Sequence, residues 1–524
     1  MPGVSRGTPQ ANAATAPRAD SAGGGLIERL FAPVSIAPLV YFRIAFGALL
    51  VWSISMFFTY KDENGTDHIT RYFTEPRIHF KYIGFGWVES LSDSGMHVLF
   101  FALGAVAVCV TVGLLYRAAM AAFCLGFTYV FLLEQTRYLN HYYLVCLVSL
   151  LLVFIPAHRA WSLDVFFRPS IRSATAPTWT LWLLRFQFGI VYFYAGLAKC
   201  HRDWIDGTIM QMKLGRKTGT PLFGSLFAQD WAPVVFSWGG LLLDLGIVPL
   251  LLWRKTRIPA LAAALAFHLL NSQLFNIDIF PWMMLAATVI LFFPDWLPWF
   301  EQGSRNPAGS AVVPAPRPLG SRRKIGLVLL SVYVAAQLLV PLRHVFYPGD
   351  ADWTEDGQQF AWRMLMREKW VEPPRFFASY RIAGELTKQP VPVPHARSRR
   401  FWNSDWQFQQ MAISPDITLQ FCHKYRDLLR KQGADQIDIR AQVLVSLNGR
   451  EPRPLVDPNV NLAEEPRRWL TPYPWVLPFD RNAPRLKNRD AEPAGEISSP
   501  ARDAGNAPGS GGKERAARPL DGKR

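Results

Sequence analysis

The run Gly189-Ile190-Val191-Tyr192-Phe193-Tyr194-Ala195-Gly196-Leu197-Ala198 is apolar and aromatic, and it ends in Lys199, with Cys200-His201-Arg202-Asp203-Trp204 directly behind. A lysine at the end of an apolar helix normally snorkels its ammonium to the membrane interface. A desolvated amine instead gives up its proton more readily and can serve as a base near neutral pH. Proton abstraction at the membrane border would need such a group, so Lys199 is the first candidate.

Other polar side chains lie where apolar ones belong. Phe267-His268-Leu269-Leu270-Asn271-Ser272-Gln273-Leu274-Phe275 carries His268, Asn271 and Gln273 inside a segment of spanning character. His268 and Asn271 are three apart and share a helix face. Such groups at membrane depth need partners, either in a neighbouring helix or in a pocket, and both readings stand. Asp244, within Leu241-Leu242-Leu243-Asp244-Leu245-Gly246, must be paired, protonated or functional, and a structural partner is the plainer reading. Asn140-His141-Tyr142-Tyr143, after Glu134-Gln135-Thr136-Arg137, reads by itself as an interfacial belt. His158-Arg159-Ala160-Trp161-Ser162-Leu163-Asp164 reads as an interfacial anchor. Trp353-Thr354-Glu355 and Phe360-Ala361-Trp362-Arg363-Met364 suit a small aromatic core, or a grip on an acidic side chain beside a greasy pocket. No phosphate-binding glycine loop, nucleophile elbow or spaced His/Cys ligand set occurs, so no metal is expected.

These residues need a membrane scaffold. Apolar segments recur at Pro38–Phe58, His97–Tyr116, Ala118–Leu133, Tyr142–Ile155, Trp179–Ala198, Val234–Trp253, Pro259–Phe275, Phe280–Phe293 and Ile325–Val340. They predict about nine transmembrane helices, several shorter than the roughly 20 residues of an ideal span. With the N-terminus inside, the clusters Arg254-Lys255-Thr256-Arg257 and Arg322-Arg323-Lys324 fall on the inner side, as the positive-inside rule requires. Lys199 and everything after Val340 then lie outside. From Pro341 the character changes. Ser414-Pro415-Asp416 opens a helix over Ile417–Lys431 that stops at Gly433. Ile437–Val445 alternates as a strand, and Asn448-Gly449 marks a turn.

The expected fold is a mainly α integral membrane protein with a C-terminal mixed α/β domain outside the membrane. The expected divisions are a disordered leader over 1–25, a polytopic membrane domain over 26–342, an extracytoplasmic domain over 343–480 and a disordered tail over 481–524. Composition agrees: of 524 residues 50% are hydrophobic and only 18% charged, below the roughly 25% of soluble domains. The net charge of +16 would ordinarily suggest nucleic acid, but the bases are scattered over short loops and tails, so no nucleic-acid partner is expected. The five cysteines show no CxxC pattern, which points away from a disulfide framework or a zinc site.

The chain resembles the vitamin K-dependent γ-carboxylases of the HTTM family. The matching runs are Tyr129–Leu133 with Asn140-His141; Trp161-Ser162-Leu163-Asp164; Ala195-Gly196 through Lys199 with Asp203-Trp204 and Gly207; Gly240–Asp244; and Phe267-His268 with Asn271–Phe275 and Phe280-Pro281. Outside the membrane Trp353-Thr354-Glu355, Trp362, Ser446-Leu447-Asn448 and Asp457-Pro458 match as well. The resemblance spans roughly Pro38 to Asp480.

This resemblance implies a lyase coupled to quinol epoxidation. The family lysine, matched by Lys199, deprotonates reduced vitamin K. The anion reacts with O2 to give a strong base that takes a γ-proton from a protein-bound glutamate and leaves as the 2,3-epoxide, while the carbanion adds CO2. Implied catalytic residues are Lys199, His141 and His268. Implied cofactor contacts are Asn140, Asn271, Gln273 and Tyr194, and implied contacts to a glutamate-containing protein or peptide are Arg216, Trp353, Trp362 and Met364. A water-poor pocket would keep the strong base from being quenched. The chain departs from the family at Arg363 and Arg367, where the animal enzyme has an acid and a histidine, and near His158 and Arg159. Cys422 has no evident disulfide partner, and the animal enzyme's further β domain is replaced by a tail. A quinol oxygenase with another acceptor, or a polytopic binding or transport protein, therefore stays open. The expected location is a bacterial inner membrane with the outer domain in the periplasm, or the endoplasmic reticulum facing the lumen.

Overall fold

The computed structural model describes residues 25–486, apart from 63–64, 77, 222, 276, 293–320 and 392–404. The expected leader, save its last residue, and all but the first six residues of the expected tail lie outside the described residues. Each apolar segment predicted above is helical: α1 (Ala37–Thr59), α2 (Asp93–Val112), α3 (Tyr116–Leu133), α4 (Asn140–Phe154) and α5 (Thr178–Ala198). Two short helices follow, α6 (Arg202–Ile205) and α7 (Thr208–Gly215). Then come α8 (Ala232–Leu252), α9 (Arg257–Leu274), α10 (Phe280–Phe292) and α11 (Ser321–Leu339).

Among the described residues six helical segments are long and apolar enough to cross a membrane, so nine spans are not confirmed: the six are α1, α2, α3, α5, α8 and the stretch Arg323–Phe346, where α11 runs on into a 3-10 turn. The other three fall short for separate reasons. α4 has 15 residues and α10 has 13, or roughly 20 Å of helix at 1.5 Å per residue against a hydrocarbon core of about 30 Å. α9 has 18 residues but carries His268, Asn271, Ser272 and Gln273 in its last turns.

Local chemistry sets the helix ends. Ser92 accepts from the Gly95 amide to open α2, and Gly113, at φ 69°, closes it. The Trp161-Ser162-Leu163-Asp164 run is a capping device. Asp164 takes the amides of Leu115 and Tyr116 at 2.7 and 3.0 Å at the start of α3, where the helix dipole favours an acid. Arg43, fully buried in α1, donates to the carbonyls of Ala157 and Trp161 beside it.

α5 lies at the centre, packed on α8 and α10, with α1 against α2 and α10 and α9 between α8 and α10. Two short strands, β1 (Pro33–Ser35) and β2 (Thr175–Pro177), pair antiparallel just ahead of α1 and α5. In the C-terminal part, β3 (Lys369–Val371), β4 (Arg375–Ile382), β5 (Glu385–Val391), β6 (Ala434–Gln442), β7 (Leu444–Leu447) and β8 (Arg453–Pro454) form two antiparallel three-stranded sheets, ordered β5-β4-β6 and β3-β7-β8. The strand expected over Ile437–Val445 is two strands, β6 and β7, one in each sheet. Asn448 and Gly449, both at positive φ, turn β7 into β8. Helices α12 (Asp405–Ile413) and α13 (Pro415–Lys431) cover the sheets, and Gly433 ends α13 at φ 87° as expected.

The two parts share a polar joint. Glu134, 2% exposed, accepts from the Phe80 amide and the Gln407 side chain. Gln420 of α13 donates to Gln135 and accepts from the Lys81 amide. Buried polar groups here are satisfied by one another across the joint.

Candidate active site in the membrane cavity

Gly196 lets α5 and α8 touch. A Cβ at that position would stand 2.7 Å from Leu245 Cδ2 and 3.0 Å from the Leu245 backbone nitrogen, closer than side chains pack. The close approach sets the end of α5 opposite Asp244. Lys199 Nζ donates to Asp244 Oδ2 at 2.6 Å and to the Ala195 carbonyl at 3.2 Å. Both side chains are buried, at 7% and 5% exposure. Lys199 therefore does not snorkel to water. Trp204 stands 5.1 Å from Nζ by its ring centroid and is fixed by its indole N–H, which donates to the Ser237 carbonyl at 2.8 Å. Gly207, at φ 81° and with no room for a Cβ beside Val234, turns the chain from α6 into α7 against α8.

Lys199 and Asp244 open on a cavity of about 810 Å³, within the usual range for small-molecule sites. Its walls are mainly apolar and aromatic, from α1, α4, α5, α8, α9 and α10. The cavity collects His141, His268, Asn140, Asn271, Gln273 and Met364 around Lys199. His268 is 2% exposed; its Nε2 lies 2.6 Å from the Tyr192 hydroxyl, which is 3.2 Å from Thr288 Oγ1, and its Nδ1 has no partner. His141 Nε2 is likewise buried without a hydrogen bond, 3.8 Å from Asp278 Oδ2. Gln273 sits at the rim and is exposed.

Four other candidates lie elsewhere. Tyr194 points away from the cavity and donates to the Leu338 carbonyl at 2.5 Å. Trp353, 1% exposed, is in the outer core and donates to the Leu477 carbonyl at 2.8 Å. Trp362 is fully buried against Tyr143 in the membrane core, with ring centroids 5.0 Å apart. Arg216 donates to Glu368 at 3.0 Å, a carboxylate that Lys213 also holds. Burial opposes ionisation of Glu368, but these two cations keep its carboxyl below the usual range. The aromatic-core reading fits both tryptophans: indoles are the largest apolar groups available to fill a core.

The cavity also brings in residues that the sequence reading did not select, namely Arg137, His68, Tyr192, Trp204 and Asp278, together with Arg363, which it had named as a possible grip on an acidic side chain. Asp278 stands at φ 50° just before α10, and burial pushes its carboxyl up to about 6. The departures at Arg363 and Arg367 prove to be paired. Arg363 reaches both oxygens of Asp352 at 3.0 Å, and Arg367 binds Glu355. Asp352 is buried, which disfavours its charge, yet the field of Arg363 and Arg367 holds it ionised below the ordinary carboxylate range. The loop bearing them is strained: Glu355, Phe360, Trp362 and Leu365 all have φ between 57° and 65°.

Two of the family-like runs meet in space. Asp203, four residues after Lys199, accepts from Arg450 at 2.7 and 2.8 Å, from Asn448 at 2.8 Å and from Arg485 at 2.7 Å. Burial raises the energy of its charge, but the hydrogen bonds from Arg450 and Asn448 outweigh that and hold its carboxyl far below the usual range. The Asp-Trp run and the Ser-Leu-Asn run are thus two halves of one clamp, which ties the outer domain to the segment carrying Lys199.

Comparison with known proteins agrees with this geometry. The HTTM domain model matches residues 31–296. The model for the lumenal domain of vitamin K-dependent gamma-carboxylase matches residues 322–482. No solved structure matches the chain. Two adjoining matches in this order cover the membrane helices and the outer sheets, and the chain belongs to the vitamin K-dependent gamma-carboxylase family.

Proposed function

We propose that this protein is a membrane γ-glutamyl carboxylase that couples oxygenation of reduced vitamin K to carboxylation of glutamate in a protein or peptide. The observation that carries the reading is the buried Lys199–Asp244 pair opening on a large apolar cavity. Reduced vitamin K fits the residues present: the walls suit fused rings and an isoprenoid tail, and the polar groups suit ring oxygens. Trp52 and Trp282, 40% and 39% exposed, line the cavity and meet edge to face at 6.3 Å, which marks the side from which a lipid-soluble molecule would enter. When bound, with O2, it supplies the strong base that removes the γ-proton, and it leaves as the 2,3-epoxide.

The chain's own residues do the rest. In the neutral form of the pair the proton rests on Asp244 and Lys199 Nζ is free to accept one from a quinol hydroxyl. The ammonium that results donates to an oxygen of the Asp244 carboxyl and to the Ala195 carbonyl, and its counter-charge, at short range in a low dielectric, is the quinol anion left by the transfer. His268, held by Tyr192, presents its unpartnered Nδ1, and Asn271 is on the same helix face; both are placed to hydrogen-bond ring oxygens. The apolar walls exclude water, which would otherwise quench a strong base.

The arginines at 363 and 367 support a second reading, a quinol oxygenase with a different acceptor. Their pairing with Asp352 and Glu355 weakens it, because the charge change is compensated within the chain. By the positive-inside rule, the outer domain faces the periplasm of a bacterial inner membrane, or the lumen of the endoplasmic reticulum in a eukaryote.

The test uses purified protein in nanodiscs with reduced vitamin K, O2, labelled bicarbonate and a glutamate-rich peptide. Epoxide and fixed label both form and both disappear in Lys199→Ala. Epoxide without label moves the assignment to the oxygenase. Neither product from folded protein refutes the chemistry.

A further inference from the structure

Three lysine or arginine side chains line the cavity: Lys199, Arg363 and Arg137. Lys199 is matched by Asp244 and Arg363 by Asp352. Arg137 forms no ion pair among the described residues: Asp278, the acid whose carboxyl feels its charge, does not reach it, and its side-chain contact is with the Tyr142 hydroxyl. Its guanidinium stacks 3.7 Å over the Tyr72 ring, and its Nη1 is buried without a hydrogen-bond partner. Two more orphaned atoms lie in the same cavity, His141 Nε2 and Asp278 Oδ1. Orphaned donors in a cavity mark a place where a ligand completes the bonding, and an unmatched guanidinium calls for an anion, best a carboxylate.

The position of Arg137 indicates where that anion comes from. It sits in the turn between α3 and α4, within the segment that Glu134 and Gln135 tie to the outer domain. The turn is therefore at the end of the cavity that faces the outer domain. The other arginine with a call on a carboxylate, Arg216, is occupied by Glu368.

We infer that Arg137 binds the side-chain carboxylate of the acceptor glutamate inside the cavity, with His141 beside it. This rests on the carboxylase reading and names the residue that selects its acceptor. Removal of a proton next to a carboxylate adds a second negative charge to the same small group, so a cation there favours the step. Asp278, with its carboxyl raised to about 6, donates to the second carboxylate oxygen when protonated.

The experiment measures binding of a glutamate-containing peptide and its glutamine counterpart to the full-length protein in nanodiscs, with reduced vitamin K binding measured in parallel. The wild type binds the glutamate peptide more tightly. Arg137→Gln weakens that peptide about 10- to 100-fold, the loss expected for a charge-assisted pair, and leaves the glutamine peptide little changed. Arg137→Lys, which keeps the charge but not the fork, recovers part of the preference. Equal weakening of both peptides without rescue by lysine, no wild-type preference, or a loss of quinol binding alone each overturns the inference. A protein that forms neither epoxide nor fixed label but shows the Arg137-dependent preference supports this site and refutes the carboxylase reading.

Discussion

At the residue scale the proposed chemistry centres on the buried Lys199–Asp244 pair. Buried ion pairs give little net stability, but removal of one partner costs about 3–5 kcal/mol because the other charge is left unmatched. Asp244→Asn is therefore expected to destabilise the fold by that amount and to lower quinol epoxidation by about 10²-fold or more. The double variant Lys199→Met with Asp244→Leu separates the two effects. Its thermal stability returns to near that of the parent, since an apolar replacement of a buried pair is often neutral, while its epoxide yield stays at background. A double variant as unstable as the single one would mean that the pair is chiefly a structural fastener.

At the scale of elements, the α5–α8 contact is what makes the pair. Gly196→Ala places a methyl 2.7 Å from Leu245 Cδ2, which can shift, and 3.0 Å from the Leu245 backbone nitrogen, from which the helices must ease by a few tenths of an ångström, and it is expected to cost about 1–3 kcal/mol. Gly196→Val cannot be accommodated against the Leu245 backbone nitrogen, so the helices must separate and Lys199 moves off Asp244. Epoxidation is expected to fall more steeply along this series than the midpoint of thermal unfolding does. Parallel decline of the two would show that the contact serves packing alone.

For the whole molecule the controlling feature is the clamp between Asp203 and Arg450, Asn448 and Arg485. Asp203→Asn leaves Arg450, 4% exposed, without its charge partner, at a cost of about 3–5 kcal/mol. The outer domain should then become open to limited proteolysis at its junction with the membrane part. The carboxyl of Asp203 is depressed in the folded state. Its stabilisation is thus fully present above the unfolded value of about 3.9 and is lost as the pH falls from there through the folded value. Proteolysis of the wild type is expected to rise on acidification below about pH 4, while the Asp203→Asn variant shows less of this dependence. Identical acid profiles for the two proteins would place the titrating group elsewhere.

Apolar runs and interruptions in this chain were enough to place each of the long apolar helices among the described residues, because burial in lipid constrains side-chain type along a whole segment. Lys199, His268 and Asn271 were legible for the same reason: polar groups stand out where lipid or helix packing forbids them. The number of long spans was less so, since α4 and α10 are as apolar as their neighbours and only their ends reveal how short they are. Tertiary structure alone decided the partners. Asp244 lies 45 residues beyond Lys199, and nothing in either local run specifies the distance that Gly196 closes between their helices. Trp353 and Trp362 suited a core or a grip on an acidic side chain, and packing buries both indoles. Arg137 stood in the sequence only as part of the run before Asn140-His141, and the folded cavity shows that among the described residues it forms no ion pair, although Asp278 shares the cavity with it. Pairing of charges across a fold depends on which surfaces touch, and that is a property of the packed helices that no single segment carries.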